Sequence, residues 1–171
     1  MAGYIYIYTG EGKGKTTAAI GMAIRAAGAG FKVYIAQFLK TGKYSEIKAL
    51  QRFNNILIEQ FGGKNFITTK IISQKDIERA WKGLENVREK ILSREFKLII
   101  LDEINMALHL KLINVKEVIN LLKARDENTD IVLTGRYAPQ ELIEMADLVT
   151  EMKEIKHYFK RGIRARKGFE Y

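Results

Sequence analysis

The chain has 171 residues, 47% of them hydrophobic and 29% charged, with a formal net charge of +9. It contains no cysteine, which excludes disulfides, thiolate metal sites, iron–sulfur clusters and a cysteine nucleophile. This length suits one domain, residues 1–171, with a real core, and no apolar run approaches the length that spans a bilayer. The basic balance fits an anionic ligand, an acidic protein or nucleic acid. The first strand begins by residue 4, which leaves no room for a signal or transit peptide, so a cytoplasmic protein is expected.

The apolar run Tyr4 to Tyr8 predicts a strand, and Lys15 to Ala27 predicts a helix stopped by Gly28 and Gly30. Between them lies Thr9-Gly10-Glu11-Gly12-Lys13-Gly14-Lys15-Thr16-Thr17. A strand, a glycine-rich turn and a helix opening on Gly-Lys-Thr form a P-loop, which holds a nucleotide triphosphate. The glycines let backbone N–H groups line an anion-sized nest, and the helix start adds unpaired donors and its positive dipole end. Lys15 supplies a cation to the phosphates, and the Thr16 hydroxyl can ligate Mg²⁺. The usual spacing would place the outer glycine where Thr9 stands; here it is Gly10, so the cradle is one residue shorter.

Further strands are predicted at Lys32–Gln37 and Ile56–Gln60, joined by a helix over Glu46–Phe53 with Ser45 as its N-cap. The irregular stretch Phe61 to Thr69 carries two glycines and two phenylalanines read as exposed, Phe61 and Phe66, and is a binding-loop candidate. A helix over Gln74–Ser93 has an apolar face of Ile77, Ala80, Trp81, Leu84, Val87 and Ile91, with Trp81 expected in the core. Lys97–Asp102 is apolar until its end, as a central parallel strand should be. A helix over Val115–Ala124, a strand over Asp130–Thr134, a helix from Pro139 to Met145 and a strand over Leu148–Met152 complete the pattern. The alternation predicts a doubly wound α/β fold of the P-loop NTPase kind, a mostly parallel sheet with helices on both faces.

The fourth strand ends in Asp102-Glu103, which resembles a Walker B element. It would deliver carboxylates to the sheet edge where the phosphates lie, so that one of them holds the metal opposite Thr16. The alternative is a helix N-cap at Asp102 with Glu103 in the first turn. Thr134-Gly135-Arg136 ends the next strand on the same edge; Arg136 faces the nucleotide side or is a solvated turn residue. Arg25 either reaches back along the cleft or is solvated. No residue reads as a hydrolytic water activator, and His109 and His157 lack metal-ligand spacing. The basic tail from Lys156 to Lys167 lacks stacking aromatics of an RNA-binding motif and reads as a solvated surface, which argues against nucleic acid as a partner.

These stretches, with Arg25 to Gly30, Gln37-Phe38-Leu39-Lys40, Leu101 to Asn105, Leu133 to Arg136, Ala146 to Met152 and Lys156-His157, together resemble the P-loop corrinoid adenosyltransferases. The resemblance covers nearly the whole chain. It implies that a cobalt(I) corrinoid attacks the 5′ carbon of ATP and expels triphosphate, in adenosylcobalamin synthesis or salvage, with ATP held in reversed direction across the loop. It implies Mg²⁺ or Mn²⁺ as metal and a homodimer. By position, Gly10, Glu11, Gly12, Lys13, Gly14, Lys15, Thr16 and Thr17 bind the triphosphate. Thr16, Asp102 and Glu103 serve the metal, Arg25 lies near the nucleotide, and Phe66 closes over the corrin. Glu11 departs from an asparagine found in some relatives, and Thr68 from a tryptophan. A basic surface would also suit an acidic electron-carrier protein. The rival readings are a P-loop ATPase or kinase, which would release ADP rather than triphosphate, and a basic nucleic-acid-binding module.

Overall fold

A strand that is apolar at every position has to be covered on both faces, and the order of the strands decides what covers it. The computed structural model describes residues 2–42, 44–63 and 72–169. Its elements are β1 (Ile5–Thr9), α1 (Lys15–Gly28), β2 (Val33–Phe38), α2 (Ser45–Leu50), β3 (Ile56–Phe61), α3 (Gln74–Ser93) and β4 (Leu98–Asp102). They continue with α4 (Ile104–His109), α5 (Val115–Lys123), β5 (Asp130–Thr134), α6 (Gln140–Met145), β6 (Leu148–Glu151) and a 3-10 turn, Tyr158–Arg161. The strands form one six-stranded sheet, β3-β2-β4-β5-β1-β6. Every neighbouring pair is parallel, because every connection between successive strands carries a helix. The sheet is therefore wholly parallel, where the sequence pattern predicts a mostly parallel one.

Alternation along β4 divides the core between the two faces. Ile99 and Leu101 point into a cluster with Leu84, Val87 and Ile91 of α3 and Val118, Leu121 and Leu122 of α5. Leu98 and Ile100 point the other way, onto Ala19, Ala23 and Ala27 of α1. The alanine spacing of four keeps a stripe of small side chains on one helix face, so α1 seats closely on the sheet. It packs across β1, β5, β4 and β2. That diagonal carries the first turn of α1 from its own strand, β1, toward the end of β4.

Four local expectations are corrected. Trp81 is 38% exposed rather than part of the core, at the margin of the apolar face of α3. Phe61 is buried as the last residue of β3, not an exposed loop residue, and its ring meets Phe38 at a centroid distance of 6.0 Å. Ser45 is the first residue of α2 rather than its cap; Tyr44 takes that place with no capping side chain. The short helix α4 and the 3-10 turn carry too few residues for a periodic signal; α4 enters the sequence reading only as the helix alternative after Asp102, and the 3-10 turn is absent from it. Conversely, α3 starts in a capping box, whose Ser73-x-x-Asp76 spacing is present in the sequence but absent from the predicted elements. Ser73 accepts from the Asp76 N–H, and Asp76 reaches back to the Ser73 N–H. That contact, led by the Ser73 hydroxyl, holds the Asp76 carboxyl below the usual range.

The close seat of α3 depends on Gly83. A Cβ there would lie 2.8 Å from Phe61 Cγ and 2.9 Å from Phe38 Cε1. Gly83→Ala should therefore lower stability by about 1–3 kcal/mol through overpacking, outweighing a helix-propensity gain of about 1 kcal/mol. Chemical denaturation checks this; a stabilised variant would mean that the two rings move aside freely.

Candidate active site

The carboxyl ends of β2, β4, β5 and β1 stand side by side, so the loops that follow them share one edge. After β1 the chain turns through Gly10 (φ 96°) and Gly14 (φ 115°), both in the left-handed region that favours glycine. Gly14 is the N-cap of α1 and offers no capping side chain, so the first turn keeps donors for an anion. The Lys15 ammonium is folded onto the loop, donating to the carbonyls of Gly10 at 2.8 Å and Gly12 at 2.6 Å. Burial pulls its pKa down; Glu103 and Glu11 oppose this and Arg136 reinforces it.

The shortened loop is braced from β6. Met152 N–H donates to the Thr9 carbonyl at 2.8 Å, and Gly12 N–H donates to the Met152 carbonyl at 2.6 Å. A Cβ at Gly10 or Gly12 would lie 2.6 Å from the Met152 oxygen, so both positions require glycine for close approach. The basic tail is exposed, as the sequence predicts, and touches this loop through Tyr158. Lys13 Nζ donates to the Tyr158 hydroxyl at 3.1 Å, and Arg166 lies 5.2 Å from the centre of the Tyr158 ring.

Asp102 is the node of the site. It is 1% exposed, at the end of β4. Its Oδ1 accepts from Thr16 Oγ1 at 2.8 Å and from Thr134 Oγ1 at 2.7 Å. Its Oδ2 accepts from Gln37 Nε2 at 3.0 Å and Lys40 Nζ at 2.7 Å. The buried carboxylate is thus compensated by donors from α1, β5, β2 and the residue pair after β2. Burial disfavours the Lys40 ammonium, but Asp102 outweighs it and holds the Lys40 pKa up. Asp102 is not a helix cap, contrary to the capping alternative. Glu103 is the N-cap of α4, at φ 62°, with no capping contact from its side chain. Its N–H donates to Thr134 Oγ1 at 3.0 Å. Its carboxyl is pushed up by burial and then by Asp102, against Lys40, Lys15 and Arg136.

Arg136 reaches the loop. It pairs with the Glu11 carboxylate at 3.2 Å and donates to the Glu11 carbonyl at 3.4 Å. Gly135 (φ 127°) permits this turn; a Cβ there would lie 3.0 Å from Met106 N. Lys15, Thr16, Asp102, Glu103, Arg136 and Glu11 are therefore brought together. Arg25 is not: it is exposed in the last turn of α1, about 15 Å along the helix from Lys15 at a rise of about 1.5 Å per residue. Phe66 lies outside the described residues. Sequence reasoning missed Gln37, Lys40 and Thr134 as members of the site. The signal for Gln37 was present, a polar residue near the end of an otherwise apolar run.

Among the described residues no cluster of three or more His, Asp or Glu side chains could hold a metal unaided. Thr16 and Asp102, 2.8 Å apart, instead offer a hydroxyl and a carboxylate beside the loop. That donor set fits Mg²⁺, which takes one or two carboxylates and completes its shell with phosphate oxygens and water.

Comparison with known proteins bears on the fold and the family. A solved structure of a KaiC-like protein from Pyrococcus horikoshii OT3 superposes with a TM-score of 0.57 over 91% of this chain and 75% of that one. At 16% identity it supports the fold alone. A corrinoid adenosyltransferase from Sinorhizobium sp is 39% identical over 99% of this chain and 80% of its own length. The one from Pseudomonas aeruginosa is 35% identical over 99% and 84%, and that from Escherichia coli (strain K12) is 30% identical over 99% and 86%. Residues 1–171 match the family described as ATP:corrinoid adenosyltransferase BtuR/CobO/CobP. The chain belongs to that family and is an adenosyltransferase of cobalamin biosynthesis or salvage.

Proposed function

We propose that the Asp102 node is where this adenosyltransferase holds the triphosphate end of ATP and its metal. In the reaction an electron pair of the cobalt(I) corrinoid forms a bond to C5′ of ATP. The C5′–O bond breaks and its pair leaves with triphosphate, so the residues in hand have to receive a departing polyanion. Gly10, Gly14 and the first turn of α1 offer N–H donors, Gly12 shapes the loop through its bond to Met152, Lys13 and Thr17 complete the cradle, and Lys15 and Arg136 offer cations. Thr16, Asp102 and Glu103 would hold Mg²⁺ or Mn²⁺, which when bound neutralises phosphate charge. The observation that carries this reading is the bond from Thr16 to Asp102, which locks the P-loop to the end of β4.

Lys15 has to leave the carbonyls of Gly10 and Gly12 and turn to the phosphates, a short swing of a flexible stem. Glu11 holds Arg136 by an exposed pair, which is weak and easily exchanged for phosphate. This gives the departure of Glu11 from asparagine a role: it keeps Arg136 over the loop between turnovers. Arg25 near the nucleotide and Phe66 over the corrin are carried from the family resemblance. So is a homodimer; a single domain, a cytoplasmic location and electron delivery by an acidic carrier protein are the expectations read from the sequence and its basic charge.

Lys15→Ala should cut formation of the light-sensitive cobalt–carbon product at saturating ATP by about 10- to 100-fold, the loss of a charge-assisted contact of about 1.5–3 kcal/mol. Circular dichroism should be unchanged; near-normal turnover would remove Lys15 from the site. Glu103→Gln should raise the metal concentration needed for activity and also raise the melting temperature near neutral pH. The sign follows from the raised pKa: the ionised Glu103 burdens the folded state above that pKa, and the burden vanishes below the ordinary glutamate value of about 4.3. The stability gain should therefore grow as pH rises through the raised pKa. An unchanged metal titration would leave Glu103 with a structural role only.

A further inference from the structure

The Lys40 ammonium lies 2.7 Å from Asp102 Oδ2 and 3.2 Å from Thr16 Oγ1. These belong to the same two side chains that fit a divalent cation. Its side chain is 19% exposed, and Asp102 is 1% exposed, so the pair is shielded from solvent. Glu103 and Glu46 add negative potential around the ammonium. A magnesium ion sits about 2.0–2.1 Å from its ligands, so an ammonium at hydrogen-bond distance from both side chains occupies the same space.

We infer that Lys40 is a resident cation that fills the metal position of the nucleotide-free enzyme and makes metal entry conditional on the triphosphate. This rests on the metal reading given above. Two cations cannot share Asp102 at such distances without strong repulsion in a shielded site. Lys40 therefore has to move when the metal arrives, and without nucleotide it would give up its ion pair with Asp102. The triphosphate removes that penalty, because it offers the displaced ammonium a new anion a few ångströms away. A lysine suits the task better than an arginine: its point charge on a four-carbon stem exchanges one oxygen for another without a fixed fork geometry. The backbone places Lys40 for this. Leu39, at φ 59°, turns the chain sharply after β2, and Gln37 from the same strand end holds the other side of Oδ2. Lys40 is thus a positioning residue whose effect is read in metal affinity.

The test is Mn²⁺ binding, followed by the electron paramagnetic resonance of Mn²⁺, without corrinoid so that ATP is not consumed, and with the ATP arm read against Mn²⁺ and ATP lacking protein. Wild type should bind Mn²⁺ weakly alone and tightly with ATP. Lys40→Met should bind Mn²⁺ at least about tenfold more tightly than wild type when no nucleotide is present, and ATP should add correspondingly less. Lys40→Arg, which keeps the charge, should stay close to wild type in the nucleotide-free measurement. If Lys40→Met is poorly folded, Lys40→Gln serves, since its amide can still donate to Asp102 while removing the charge. An unchanged nucleotide-free affinity in a folded neutral variant, with Asp102→Asn still abolishing binding, would overturn the role of Lys40 and leave the metal reading standing. Mn²⁺ binding with ATP that is indifferent to Asp102→Asn would overturn both.

Discussion

One buried carboxylate organises the edge of this sheet. Asp102 is cut off from water and accepts four hydrogen bonds from three separate segments. An uncompensated buried charge would cost several kcal/mol, so each of those segments is held in place by the need to satisfy it. Thr16 ties in the P-loop, Thr134 ties in the strand that ends in Gly135-Arg136, and Gln37 and Lys40 tie in the end of β2. Fold and chemistry meet in this residue: the bonds that fix the loop geometry are the ones a metal–triphosphate complex would use.

Three cations at this edge are likewise engaged within the protein. Lys15 rests on two loop carbonyls, Lys40 on Asp102 and Arg136 on Glu11. A polyanion entering the loop exchanges partners rather than filling bare positive charge. Stored strain lies at the same edge. Leu39, Glu103 and Tyr137 have φ near 60° just beyond the ends of β2, β4 and β5. Non-glycine residues in that region cost of order 1–3 kcal/mol each and persist where the surroundings over-determine them. Here the surroundings are the hydrogen bonds of Asp102 and Thr134 and the packing of α4 under Gly135.

Much of this was legible in the residues. The P-loop and the Asp-Glu strand end are local patterns with a fixed mechanical meaning, and the helix–strand alternation dictates parallel pairing. What was hidden depended on distant partners. The requirement for glycine at positions 10 and 12 comes from the Met152 carbonyl, far along the chain. Lys40 belongs to a stretch that carries the family resemblance, but its own role was not legible, because nothing within a few residues of it announces Asp102. Trp81 fell on the helical apolar stripe, yet it sits at the stripe's margin and is partly exposed. Arg25 shares a helix with Lys15, and the rigid helix sets it about 15 Å from the loop, so its place near the nucleotide rests on the family resemblance alone.

The central claim is that Asp102 couples the loop to the departing triphosphate. Its most direct test is phosphorus NMR of the products formed from ATP and reduced corrinoid by wild type and Asp102→Asn, on protein shown to be folded. The account predicts stoichiometric triphosphate with the cobalt–carbon product from wild type, and loss of both in the variant. Triphosphate release by a folded Asp102→Asn protein at the wild-type rate would contradict it.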